Sequence, residues 1–135
     1  MQTSLTRFMS RRDALAAITT GFAAAPALAQ QSDADTRRAL VGTWVWGSEM
    51  NGQQVYNELT LAGNGDFAYS TADQAGHLVT QTGKWGYEGG YIGFNTTWSN
   101  VKDPSGRYLV LGPIQIVEVG ADYVRTTAGI ARRKQ

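Results

Sequence analysis

Few residues of this chain carry the chemistry for catalysis or metal binding, and that scarcity narrows its function. There is one histidine, His77, and no cysteine. A thiol nucleophile, a thiolate metal site and a disulfide framework are therefore excluded. One histidine cannot build a multi-histidine centre, and no serine is marked as its partner in a catalytic triad. His77 follows Gly76 and reads as a solvated turn residue. Glu118 is a single acid on an expected inner strand face. A general base needs a shifted pKa and a positioned partner, and the pattern supplies neither. No catalytic residue, metal ligand or cofactor is assigned. What remains is suited to binding: Trp46, Tyr69, Trp85, Phe94 and Trp98, with the amides Asn57 and Gln81 among them. Aromatic walls with a few polar groups suit a flat apolar ligand. They equally suit a filled core in a chain of this size, and spacing leaves both readings open.

The elements that would position these residues are short apolar-aromatic runs broken by glycine-rich turns. Such runs at regular spacing point to an all-β sandwich or barrel. Strands are expected over Leu40–Ser48, Gln54–Leu61, Asp66–Thr71, Leu78–Glu88, Tyr91–Trp98, Arg107–Leu111, Ile114–Val119 and Tyr123–Thr127, with a half-strand in the last residues. Asn51-Gly52, Gly63-Asn64-Gly65 and Gly89-Gly90 supply tight turns, since Asn and Gly tolerate positive φ. Eight or nine strands joined this way suggest an antiparallel up-and-down meander, and closing it removes the sheet edges. Alternation then assigns faces. Val55, Asn57, Leu59 and Leu61 share one; so do Phe67 and Tyr69; so do Gln81, Gly83 and Trp85; so do Ile92, Phe94, Thr96 and Trp98; so do Ile114, Ile116 and Glu118. An inward amide is costly unless a partner, a ligand or water meets it. A register slip of one would instead put Asn57 and Gln81 outside.

The first 29 residues are excluded from this fold reasoning. Arg7, Arg11 and Arg12 precede the alanine-rich run Ala14 to Gln30, which contains Ala27-Leu28-Ala29, the layout of an export signal. Ser10-Arg11-Arg12, with Leu15 three places on, resembles a twin-arginine motif. The segment takes three arginines and one aspartate from 12 basic and 11 acidic residues, leaving nine against ten. A near-neutral mature chain gives no electrostatic case for nucleic acid or an anionic membrane. The expected organisation is a signal peptide over 1–29, a flexible polar leader or short helical turn over 30–39, and one β-barrel domain over 40–135. The expected location is the bacterial periplasm or beyond, with no membrane anchor after cleavage.

Leu40-Val41-Gly42-Thr43-Trp44 heads the first strand behind that leader. Gly83-Lys84-Trp85 repeats its Gly-x-Trp, Gly65-Asp66 makes a turn, and Arg132-Arg133 lie near the C-terminus. Together these resemble the lipocalin-like (calycin) barrels. The resemblance implies an eight-stranded up-and-down barrel that holds a small apolar molecule. It also implies that Gly42 and Trp44 form the closed end, under a cation from Arg132 or Arg133. A guanidinium stacked on an indole covers it while keeping its charge near water. Ile92 to Asn100 is also similar to an inner strand of the avidin-like biotin binders, but no tryptophan follows Trp98, as that family would require.

Three function classes follow. A binding protein for a small apolar or aromatic molecule predicts a roomy aromatic cavity. A protein-interaction barrel, such as a periplasmic protease inhibitor, predicts a filled core and an N-terminal arm. A small barrel isomerase or lyase predicts several polar groups converging inside, where the sequence offers one acid and two amides.

Overall fold

Two-residue turns set the strand order. Asn51 (φ 52°) and Gly52 (φ 78°) join Met50 to its partner Gln53, and Gly89 and Gly90, both at positive φ, join Glu88 to Tyr91. Turns with two positive-φ residues match the right-handed twist of the strands they join, which makes each neighbour pair antiparallel. The computed structural model describes residues 31–135; the expected signal peptide lies outside them. Within this range the chain forms helix α1 (Asp33–Leu40) and strands β1 (Gly42–Met50), β2 (Gln53–Leu61), β3 (Asp66–Asp73), β4 (Leu78–Glu88), β5 (Tyr91–Ser99), β6 (Ile114–Val119), β7 (Tyr123–Thr126) and β8 (Gly129–Arg133). Each strand pairs with the next and β8 returns to β1, closing an eight-stranded antiparallel up-and-down barrel.

Two expected elements differ. Arg107–Leu111 is not a barrel strand; it makes only the Lys102–Tyr108 bridge, and Tyr108, Leu109 and Val110 are exposed. Pro104 and Pro113 bracket the run, and proline cannot donate to a ladder. The eighth strand is instead the C-terminal run. Of the two readings of the polar leader the helical one holds: residues 33–40 form a two-turn helix, which takes in Leu40 from the expected first strand. Ser32 caps it by accepting from the Asp35 N–H at 3.0 Å, acids occupy its first turn, and Arg37 and Arg38 its last. Those placements complement the helix dipole.

Two β-bulges decide which residues face inward. In β5 the pairing steps from Thr82↔Trp98 to Gly83↔Thr96, so Thr97 is an extra residue. In β6 it steps from Ile116↔Thr126 to Glu118↔Arg125, so Val117 is extra. An inserted residue inverts the alternation beyond it. Trp98 therefore points outward, 45% exposed, and Ser99 takes the inner position at 3%. Glu118 likewise leaves the inner face, and Val119 joins the core. Strict alternation placed both wrongly. Glu118 instead accepts from the Tyr123 hydroxyl (2.7 Å) and pairs with Arg125 (3.2 Å) on the outer wall.

One end of the barrel is closed by α1, and the closure satisfies the helix's last carbonyls. Arg133 lies 4.3 Å over the Trp44 ring and donates to the Val41 and Ala39 carbonyls, at 3.0 and 3.3 Å. The Trp44 indole N–H donates to the Leu40 carbonyl at 2.8 Å. Gly42 makes room: a Cβ there would lie 2.2 Å from the Arg133 Nη1, and its φ of +146° favours glycine. Of the two expected cations only Arg133 closes the barrel. Arg132 pairs by backbone with Val45 and is exposed, because adjacent strand residues face opposite ways. The second Gly-x-Trp builds a similar contact. Arg37 of α1 lies 4.5 Å over Trp85, whose indole donates to the Ala62 carbonyl at 2.9 Å.

Candidate functional site

The ladders that close the barrel are uneven. β1 meets β8 only at Trp44↔Arg133 and Val45↔Arg132, leaving the second half of β1 without a β8 partner. β5 meets β6 only at Tyr91↔Gln115 and Ile92↔Ile114. Side chains that a continuous ladder would press together are held apart beside these short seams, and a cavity of about 410 Å³ lies within. That volume falls in the range of small-molecule sites.

Its floor is the closed end: Leu40 of α1, Trp44, Leu61, Ile92, Ile116 and Val124. Leu40 is 1% exposed, so the helix contributes a fully buried apolar group to the site. Trp46, Leu59 and Tyr69 form one wall, with Leu111 from the β5–β6 connection and Ile114 from β6. Ser48 and Glu49 of β1 face Ala128, Gly129, Ile130 and Ala131 of the β7–β8 hairpin around the rest. The Trp46 and Tyr69 rings stack with centroids 6.2 Å apart at 29°, giving a broad aromatic surface.

Behind that surface lies a hydrogen-bonded corner. Tyr69 donates its hydroxyl to the Asn57 Oδ1 at 2.8 Å. Asn57 Nδ2 donates to the Ser48 hydroxyl at 3.0 Å and to the Trp46 carbonyl at 3.3 Å. Asn57 is 1% exposed, yet its amide is met on both sides by protein, which answers what stabilises an inward amide there. Burial pushes the Tyr69 phenol up, the Thr71 hydroxyl acting in the opposite direction. The phenol is thus a neutral group over the ordinary pH range.

The expected binding residues divide by depth. Trp46 and Tyr69 line the cavity. Asn57 stands one layer behind them, bonded to Tyr69. Gln81 is buried and accepts from the Thr96 hydroxyl at 3.4 Å, away from the lining. Trp85 packs in the core, and Phe94 packs edge-on against Phe67, centroids 5.0 Å apart. Trp98 is outside, carried there by the bulge at Thr97. Missing from the expected set were Leu40, Ser48, Leu111 and the hairpin residues Thr126 and Ala128 to Ala131. Leu40 follows Arg37-Arg38-Ala39 and reads as a strand start; only its i, i+4 spacing from buried Thr36 signals a helix face.

Catalytic machinery is sparse at the cavity. Of its lining residues only Glu49 and Tyr69 are titratable, and Glu49 is exposed at the rim. His77 is exposed in its turn and pairs with Asp73 at 2.9 Å. That hydrogen bond holds the Asp73 carboxyl below its usual range. No group of three or more metal-ligating side chains occurs among the described residues. Comparison of the sequence with protein-family models and with curated proteins finds no match.

Proposed function

We propose that this protein is an exported, lipocalin-like barrel that binds one small apolar or aromatic molecule in the bacterial periplasm. The supporting observation is the cavity of about 410 Å³, with an aliphatic floor and the Trp46–Tyr69 surface as its wall. A barrel that served only to pack itself would fill that volume, because empty apolar space forfeits dispersion contacts and is destabilising. The helix-sealed end and the Arg133–Trp44 stack favour the lipocalin-like reading, as does the Gly-x-Trp head of β1. Export rests on the signal-like first 29 residues.

Titration with N-phenyl-1-naphthylamine, an uncharged dye that brightens in apolar surroundings, tests this reading. The expected result is saturable emission at one dye per chain, weakened about tenfold or more by Trp46→Ala and unaffected by Trp98→Ala. No brightening, or equal loss in both variants, would count against it.

A further inference from the structure

The polar groups at the cavity define the ligand more narrowly than apolar or aromatic. Six side chains with polar atoms line it: Trp44, Trp46, Ser48, Glu49, Tyr69 and Thr126. The Trp44 indole N–H is taken by the Leu40 carbonyl, and Trp46 supplies an N–H at the edge of its ring. Thr126 is engaged locally, donating to the Gly129 carbonyl at 3.2 Å and accepting from the Ala128 N–H at 3.0 Å. Glu49 lies exposed at the rim. Ser48 accepts from Asn57, which leaves its own O–H to donate. Tyr69 donates to Asn57, and its oxygen keeps accepting capacity that it shares with the nearby buried Thr71 hydroxyl. Asn57 holds both groups in place, one from each end of its amide. One donor and one acceptor are thus fixed beside an aromatic surface.

Charge narrows the class further. Among the described residues no lysine, arginine or histidine lines the cavity, since Arg133 stacks on Trp44 and is spent on the Val41 and Ala39 carbonyls. A buried carboxylate would have no cation to meet and would lie near Glu49 at the rim, so an anion is disfavoured twice over. A hydroxyl is the smallest neutral group that both accepts and donates.

Resting on the binding function proposed above, we infer that the site selects an uncharged, flat, apolar molecule carrying one terminal hydroxyl. The hydroxyl accepts from the Ser48 Oγ–H and donates to the Tyr69 phenolic oxygen, while the ring system lies against Trp46. Fatty acids and other carboxylates are excluded by the same chemistry.

Three probes of one ring system separate the terms: naphthalene, 2-naphthol and 2-naphthoate, measured by isothermal titration calorimetry near neutral pH. The expected order has 2-naphthol about three- to tenfold tighter than naphthalene, the range of one or two net hydrogen bonds. 2-Naphthoate should bind roughly a hundredfold more weakly than 2-naphthol, or not at all. In Ser48→Ala the ratio of 2-naphthol to naphthalene affinity should shrink to about twofold or less. Circular dichroism and an unchanged urea midpoint show that the variant is folded. Equal binding of the first two probes, or binding of 2-naphthoate as tight as 2-naphthol, overturns the hydroxyl inference and leaves the binding function standing. If none of the three binds, and N-phenyl-1-naphthylamine does not either, the binding function falls and the inference with it.

Discussion

Removing the Arg133 side chain should open the sealed end of the barrel, and the structure sets the size of the effect. The guanidinium stacks on Trp44 at 4.3 Å and donates to three carbonyls: Val41 at 3.0 Å, Ala121 at 3.1 Å and Ala39 at 3.3 Å. A cation–π contact of this kind contributes about 0.5–2 kcal/mol. Hydrogen bonds from a charged donor contribute about 1.5 kcal/mol or more each when buried. Two of these are part-buried and the one to Ala121 is exposed, and freed carbonyls regain water, so the three together are discounted to about 2 kcal/mol. Arg133→Ala should then destabilise the barrel by about 2–4 kcal/mol. In urea unfolding, with a slope of about 1–1.5 kcal/mol per molar for a small domain, the midpoint should fall by about 2 M. Arg132→Ala, one residue away and facing the other side, should change stability by less than about 0.5 kcal/mol. Gly42→Ala supplies the stricter test. Its Cβ would lie 2.2 Å from the Arg133 Nη1, so it should expel the same guanidinium at a similar cost. The double variant should be about 2 kcal/mol more stable than the sum of the singles predicts, because each destroys the contact the other needs. Equal effects of Arg133→Ala and Arg132→Ala, or full additivity with Gly42→Ala, would refute the closure argument.

Other outcomes follow from the same geometry. Gly83→Ala would set a Cβ 2.0 Å from the Asn95 carbonyl oxygen and 2.9 Å from the Thr97 nitrogen, so it should destabilise by about 3 kcal/mol or more. Gly86→Ala, with nothing within 4 Å, should be near neutral in the same denaturation assay. Leu40→Ala should cost about 2–4 kcal/mol and extend the cavity towards α1, read as added xenon density in a crystal under pressure. In alkaline spectrophotometric titration two phenols should ionise late, Tyr69 because it is buried and Tyr123 because it is hydrogen-bonded to Glu118, and Tyr69→Phe should leave only one. The raised folded pKa means the unfolded chain loses that proton first. The contribution of Tyr69 to stability is thus constant below about pH 10 and falls as pH rises through the folded pKa.

The strand pattern was legible wherever strict alternation holds. Val55, Asn57, Leu59 and Leu61 face inward because β2 runs without interruption, and Asn51-Gly52 marks its turn. Alternation failed at Trp98 and Glu118 for one physical reason, since each follows a bulge that shifts the period by one. Neither bulged residue, Thr97 or Val117, carries a sequence mark. The one local clue sits on the neighbouring strand, where Gly83 leaves space for the extra backbone of β5. The cavity was less legible still. Trp46 and Tyr69 were readable as inward aromatics, but the space in front of them depends on how few residues β8 shares with β1. That is a property of strand length and register across distant parts of the chain. The role of Leu40 depended on the leader being helical, which its charges at the two ends permit but do not announce.

Whether the space before Trp46 holds a molecule when the protein is made decides between a binding protein and a merely packed barrel. Native mass spectrometry of protein purified from the cells that make it, without organic solvent, reads this directly. The predicted spectrum shows the chain with one small uncharged adduct, released on mild activation and absent in Trp46→Ala. A spectrum of the bare polypeptide alone would contradict it.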